Sequence, residues 1–231
     1  MHCVYCETGI EERGAEQVID GPEAQHAARV KRLGPGDRLW LMDGRGVRAV
    51  GEVVEARRAL RVRIVERGVQ AEVRPRVEVW SATPKGPRVA ELVEGLVQVG
   101  AASWTPMATK LGVVDPGEGK LARLERIVIE SCKQAGRARL LELSEKRTLS
   151  EALAPGPGVR VVMADAGGGS YARAGDGSTV RLLIGPEGGF TEEERRLAQG
   201  AGATLARFGP MVMRIETAGV VAAGVVLNVE Q

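Results

Sequence analysis

The sequence predicts an α/β protein: a helix-flanked, mainly parallel sheet preceded by a small all-β domain. Three observations carry this reading. From Val77 onward, apolar strand-like runs alternate with helix-like stretches, the pattern of a parallel sheet with crossover helices. Between residues 18 and 70, short segments instead show period-two alternation, as in Leu60, Val62 and Ile64 set against Arg61 and Arg63. That is the signature of an antiparallel sheet with one wet face. The two patterns meet in the polar stretch Gln70 to Arg76, so a first domain is expected over 1–72 and a second over 73–231.

In the first domain, strands are expected at Leu39–Met42, Val47–Val54 and Leu60–Val65. Turns are expected at Gly34-Pro35-Gly36-Asp37 and Asp43-Gly44, where glycine follows or precedes a turn-forming residue. Such strands suit a small barrel or sandwich of the OB or PUA type. A short helix with a basic end is expected over Pro22–Arg32. Cys3 and Cys6, beside His2, have the spacing of half a metal site, but no second pair exists to complete it. A short strand ended by the two cysteines is the preferred reading, and no metal is expected.

In the second domain, Val77–Trp80, Val159–Ala164 and Val180–Ile184 are apolar runs of strand length. Arg88–Val99 and Gly119–Gly136 read as helices, the latter with Leu121, Leu124, Val128, Cys132 and Ala135 on one stripe. Arg214–Val229 is a helix apolar almost all round. Its small residues Ala218, Gly219, Ala222, Ala223 and Gly224 suit either a dimer face or a buried core helix.

Composition narrows the function classes. With 32 Lys+Arg against 30 Asp+Glu, net charge does not announce a nucleic-acid binder. Three cysteines argue against a disulfide scaffold and fit a reducing, cytoplasmic setting. No apolar run reaches the roughly 20 residues needed to span a bilayer. The N-terminus has no apolar signal core, so secretion is not expected. Few aromatics leave little room for base stacking.

Two loops concentrate the chemistry. The first, Gly185-Pro186-Glu187-Gly188-Gly189-Phe190, follows the strand Leu182-Leu183-Ile184. It runs into Thr191-Glu192-Glu193-Glu194, a capping box that starts a helix. Ligands bind at such strand-to-helix turns in parallel sheets. No Lys follows the glycines, and three acids open the helix and would repel a polyphosphate, so a ligand met by bare backbone fits better. An adenine edge or a methionine moiety would suit. The second loop, Arg207-Phe208-Gly209-Pro210-Met211-Val212-Met213-Arg214, opens the terminal helix, with Arg214, Glu216 and Thr217 as polar residues at its mouth.

These loops, in this order and spacing, resemble those of the bacterial small-subunit rRNA uridine-N3 methyltransferases of the SPOUT class. His26-x-x-Arg29-Val30-x-Arg32-Leu33-Gly34-Pro35-Gly36-Asp37, Pro84-Lys85-Gly86 and Gln134-x-Gly136-Arg137 extend the resemblance over nearly the whole chain. Departures from the family pattern fall at Lys133, Ile215 and Glu94-Gly95. The resemblance implies a PUA-like β-barrel followed by a trefoil-knotted parallel-sheet domain, and a homodimer. It implies S-adenosylmethionine held by Leu183, Ile184, Gly185, Pro186, Glu187 and Gly188 of the first loop, and by Phe208, Gly209, Pro210, Val212 and Met213 of the second. It also implies catalytic roles for Arg214, Glu216 and Thr217, and rRNA contacts by Arg29, Arg32, Lys85 and Arg137, within the assembled or assembling 30S subunit. By helical spacing, Arg123, Arg126 and Lys133 form a second basic face with Arg137. Methyl transfer to N3 needs its proton removed, with Glu216 one candidate base and Asp165, otherwise a turn residue, another. The alternatives are a SPOUT enzyme for tRNA or another base, and a non-catalytic RNA-binding or assembly protein.

Overall fold

The computed structural model describes residues 1–27, 32–57, 59–112, 121–173 and 179–230. The chain forms two compact units: Met1–Glu72 with Ile129–Leu140, and Val73–Val128 with Leu141–Gln231.

The first unit is a curled five-stranded sheet. Its strands are β1 (Cys3–Tyr5), β2 (Glu16–Ile19), β3 (Arg38–Met42), β4 (Val47–Ala56) and β5 (Leu60–Val69), in the order β1-β3-β4-β5-β2. Only β1 and β3 run parallel. The alternation read from sequence holds: Leu60, Val62 and Ile64 are buried with Leu39, Leu41 and Val4, while Arg61 and Arg63 are exposed. Register shifts between Val50 and Gly51 and between Val53 and Glu55 leave one extra residue on β5 (Val65) and one on β4 (Val54), respectively. Such bulges bend a sheet and sharpen its twist, giving a half-barrel with β1 and β2 at its edges. Cys6 is buried directly after β1, and burial pushes the Cys3 thiol up to about 11 and the Cys6 thiol up to about 12. Both are therefore neutral packing groups at ordinary pH. The expected helix at 22–32 is observed as α1 (Gly21–Gln25), and residues 28–31 lie outside the described residues.

The second unit is a parallel sheet, with β6 (Val77–Ser81), β7 (Ser103–Ala108), β8 (Glu142–Leu143), β10 (Val159–Ser170), β11 (Thr179–Ile184) and β12 (Thr204–Arg207) in the order β12-β10-β11-β6-β7-β8. A short β9 (Arg147–Thr148) pairs with β7. The helices are α2 (Arg88–Val99), α3 (Leu121–Ala135), α4 (Leu149–Ala152), α5 (Glu192–Gly200) and α6 (Ile215–Glu230). Val162, Met163, Leu182, Leu183 and Val79 are fully buried, as their unbroken apolar runs require.

The structure alters one expectation and favours one of two alternatives for another. Residues 129–140, sequentially inside the second domain, pack with the first unit. Lys133 Nζ bonds the Glu23 carboxylate at 2.9 Å, and Gln70 accepts from the Ala138 amide at 2.6 Å. The small residues of α6 are also largely spent inside the chain. Ala222 and Ala223 are fully buried, and a Cβ on Gly219 would lie 2.8 Å from Leu92 of α2. Reciprocally, a Cβ on Gly95 of α2 would lie 2.5 Å from Val220. Two of the departures from the family pattern thus have structural roles, Gly95 by letting α6 approach and Lys133 by pairing with Glu23.

Candidate cofactor cleft

The strand order explains why two loops distant in sequence meet. β11 and β12 flank β10, so the loops leaving their carboxyl ends converge over the end of β10. Between them lies a cleft of about 780 Å³. It falls within the roughly 300–1,000 Å³ of small-molecule and cofactor sites.

The first wall runs from Ile184 to Phe190. Gly185 leaves room for the Phe190 ring, which a Cβ there would meet at 3.1 Å. Thr191 then caps α5: the Glu194 amide donates to Thr191 Oγ1 at 3.2 Å, and the Thr191 amide donates to Glu194 Oε2 at 2.8 Å. Glu194 is 5% exposed and also accepts from the Lys110 amide, a contact invisible in the sequence pattern. The second wall is Leu205–Met213. Phe208 is backed by the Tyr171 ring, stacked at 5.3 Å. The Tyr171 hydroxyl donates to Glu230 Oε1 at 2.7 Å, and Arg160 donates to both. Burial, reinforced by Glu230, pushes Tyr171 up to about 12.

The floor is a bulge in β10. Its register on β12 shifts between Ala164 and Gly169, which turns Asp165 to Gly167 into the cleft. Gly168 permits this, since a Cβ there would sit 2.8 Å from the Leu205 carbonyl oxygen and the Ala206 amide nitrogen. Asp165 Oδ1 accepts from the Gly167 amide at 2.8 Å, the turn role expected of it, while Oδ2 lies 3.5 Å from Arg195 Nη1.

Ile184, Gly185, Pro186, Glu187, Gly188, Phe208, Gly209, Pro210, Val212 and Met213 all line the cleft, whereas Leu183 lies beneath it in the core. Arg195 and Gln199 of α5 also line it. Sequence reasoning missed them, although they lie one and two turns beyond the capping box on the helix it starts. Arg214, Glu216 and Thr217 do not line it, although their neighbour Ala218 does. Arg214 and Thr217 are exposed, and Glu216 turns towards α2, with Oε1 3.7 Å from Arg88 Nε. The Glu216 side chain is 11% exposed, and its Oε2 is buried with no hydrogen-bond partner among the described residues.

Of the expected RNA contacts, Arg32 and Lys85 are exposed, Arg137 is half-buried just beyond α3, and Arg29 lies outside the described residues. Arg123 and Arg126 are exposed on α3, whereas Lys133 is engaged by Glu23 and Glu130.

The lining fits S-adenosylmethionine. The amides of Glu187, Gly188 and Gly209, in cleft-lining residues, make no hydrogen bond among the described residues. Glu187, Glu192 and Asp165 set three carboxylates against Arg195 and Arg207 in the lining, a small negative excess that suits a sulfonium.

Comparison with known proteins agrees with this class. A family model described as an RNA methyltransferase domain matches residues 72–227, and an RNA methyltransferase PUA domain matches residues 19–65. The ribosomal RNA small subunit methyltransferase E of Mycobacterium tuberculosis is 33% identical over 238 residues, spanning 96% of this chain and 89% of that protein. The Synechocystis protein of the same name is 26% identical, spanning 90% and 73%. Among solved structures, a candidate methyltransferase of Legionella pneumophila with bound SAM superposes at TM-score 0.83, with 26% identity and coverage of 98% and 96%. A candidate rRNA methyltransferase of Porphyromonas gingivalis superposes at 0.86, with 27% identity and coverage of 100% and 98%. The chain belongs to the ribosomal RNA small subunit methyltransferase E family. Its fold is the PUA-like half-barrel followed in sequence by a parallel-sheet α/β domain that the resemblance implies.

Proposed function

We propose that this chain transfers the methyl group of S-adenosylmethionine to N3 of a uridine in small-subunit rRNA, acting on the assembled or assembling 30S subunit in the cytoplasm. The observation that carries the reading is the convergence of the two glycine loops on one cleft, lined by backbone amides and carboxylates. The cofactor, when bound, supplies the electrophilic methyl group. The chain's residues do the rest. Ile184–Gly188 and Phe208–Met213 hold the cofactor, with Tyr171 bracing Phe208 from behind.

The catalytic assignment is Arg214, Glu216 and Thr217. Glu216, held through one oxygen by Arg88, orients Arg214 or takes up the N3 proton, and Asp165 on the cleft floor is the second candidate base. Arg214, exposed at the start of α6, stabilises the uridine as negative charge develops. Arg29, Arg32, Lys85 and Arg137 contact the RNA backbone.

The active species is a homodimer. On α6, Ala218, Val221 and Val225 are half-exposed at helical spacing, and Met211 and Val212 are 77% and 84% exposed. A second copy would cover this apolar surface.

The test is methyl transfer from labelled S-adenosylmethionine to undermodified small subunits, free small-subunit rRNA and tRNA, with nucleoside analysis. N3-methyluridine confined to small-subunit RNA is expected, with transfer lost in Arg214→Ala while cofactor affinity is kept. Label in tRNA or in another base, or full activity in Arg214→Ala, would overturn the corresponding assignment.

A further inference from the structure

We infer that the half-barrel carries a binding site for one unstacked nucleobase of an RNA single strand, built on the Trp40–Arg48 pair. The inference rests on RNA being the substrate. In β3, Leu39 and Leu41 point into the core, so Trp40 between them points to the opposite face. Trp40 pairs with Val50 of β4, and Val50 pairs with Glu66 of β5, which brings Arg48, Glu66 and Gly68 onto that same face. A cavity of about 350 Å³ opens there, lined by Trp40, Arg48, Glu66, Arg67, Val69 and Gln70 among others. It can take a single planar heterocycle but not a stacked duplex.

The Arg48 guanidinium lies 3.7 Å above the centre of the Trp40 ring. Five other arginines of this sheet have carboxylate neighbours: Arg38 with Glu52, Arg57 and Arg61 with Glu55, Arg63 with Glu16, and Arg67 with Glu12. Arg48 has none within ion-pair distance among the described residues. A planar cation resting on an aromatic ring and left without a carboxylate presents a ready stacking surface and keeps its charge for phosphate. Bases splayed from single-stranded RNA stack on such aromatic and guanidinium planes, whatever the base.

The adjoining turn adds a second cation. Gln70 accepts from the Ala138 amide at 2.6 Å and donates to the Gly136 carbonyl at 3.3 Å. It thereby fixes the turn that carries Arg137. Gly136 has φ 68, and a Cβ there would point to within 3.9 Å of Arg48 Nη2, so the turn stands at the edge of the stacked pair. The Gln134-x-Gly136-Arg137 motif, sequentially part of the methyltransferase segment, therefore serves the half-barrel's cavity. The scarcity of aromatics in the sequence does not exclude stacking, because a single placed Trp suffices.

The experiment titrates the full chain with a short unstructured oligoribonucleotide and, separately, with polyphosphate, which offers charge without bases. In the parent, RNA is expected to quench tryptophan fluorescence, a signal lost in Trp40→Leu. Trp40→Leu and Arg48→Gln should each weaken single-strand binding about tenfold. Polyphosphate binding should be unchanged in Trp40→Leu. Arg48→Gln leaves the core untouched and keeps the test usable if Trp40→Leu folds poorly. Parental RNA affinity in both variants overturns the site. So does an unquenched parent, or a Trp40→Leu defect equally large for polyphosphate. Methyl transfer to small-subunit RNA, scored in parallel, separates the two readings: transfer by the parent with parental RNA affinity in the variants sinks this site alone.

Discussion

Gly168 and Gly169 are neighbours in β10, and the structure predicts opposite outcomes for giving each a methyl group. A Cβ on Gly168 would lie 2.8 Å from the Ala206 amide nitrogen, the Leu205 carbonyl carbon and the Leu205 carbonyl oxygen. All three are backbone atoms, so no rotamer change relieves the clash, and β12 must move away from the bulge. Forced overpacking of this kind costs about 1–3 kcal/mol. For a chain of this size each kcal/mol lowers the melting temperature by roughly 2–4 °C. The displaced residues, Leu205 and Ala206, line the cofactor cleft, so S-adenosylmethionine affinity should fall as well. A Cβ on Gly169 meets nothing within 4 Å, and its φ is not in the left-handed range. Gly169→Ala should therefore be neutral or stabilising by up to about 1 kcal/mol, through the unfolded chain. The assay is thermal melting of both variants with and without S-adenosylmethionine, together with calorimetric titration of the cofactor. Equal melting temperatures and equal affinities for the two variants would refute the packing argument.

Two further predictions use other parts of the molecule. Glu216→Gln should lower kcat by about a hundredfold or more while leaving cofactor affinity unchanged, because Glu216 sits outside the cleft lining; parental kcat in steady-state methyl transfer would remove Glu216 as the base. The folded chain should also lose stability in alkali. Cys3, Cys6 and Tyr171 have folded-state values raised to about 11, 12 and 12 from 9.0, 9.0 and 10.0. A raised value means that folding favours the protonated form, so this contribution is complete below pH 9 and fades as pH climbs towards 12. Melting temperature followed from pH 8 upward should begin to fall near pH 9, and Cys6→Ala should flatten the early part of that fall; an identical pH profile in the variant would contradict the assignment.

The local elements and the loops were legible in the chain alone. The period-two run Leu60–Ile64, the apolar runs Val159–Ala164 and Val180–Ile184, and the Thr191–Glu194 capping box each state their structure through neighbours in the chain, because burial periodicity and caps are local properties. The glycine loops were legible for the same reason, as strand-to-helix turns. What lies across from what was set by long-range packing. Nothing local shows that β10 continues past Ala164 to Ser170 through a bulge, since that extension depends on pairing with β12, some forty residues later. Nothing local places Glu216 beside Arg88 rather than over the cleft, because the direction is set by how closely Gly95 and Gly219 let α2 and α6 approach. The same holds for the far half of α3, which reads as one continuous helix of the second domain but is held in the first unit by Lys133 with Glu23 and by the turn that Gln70 fixes. Residues that repeat at helical or strand spacing announce themselves. Partners more than sixty residues apart are chosen by topology and close packing, which no period in the sequence encodes.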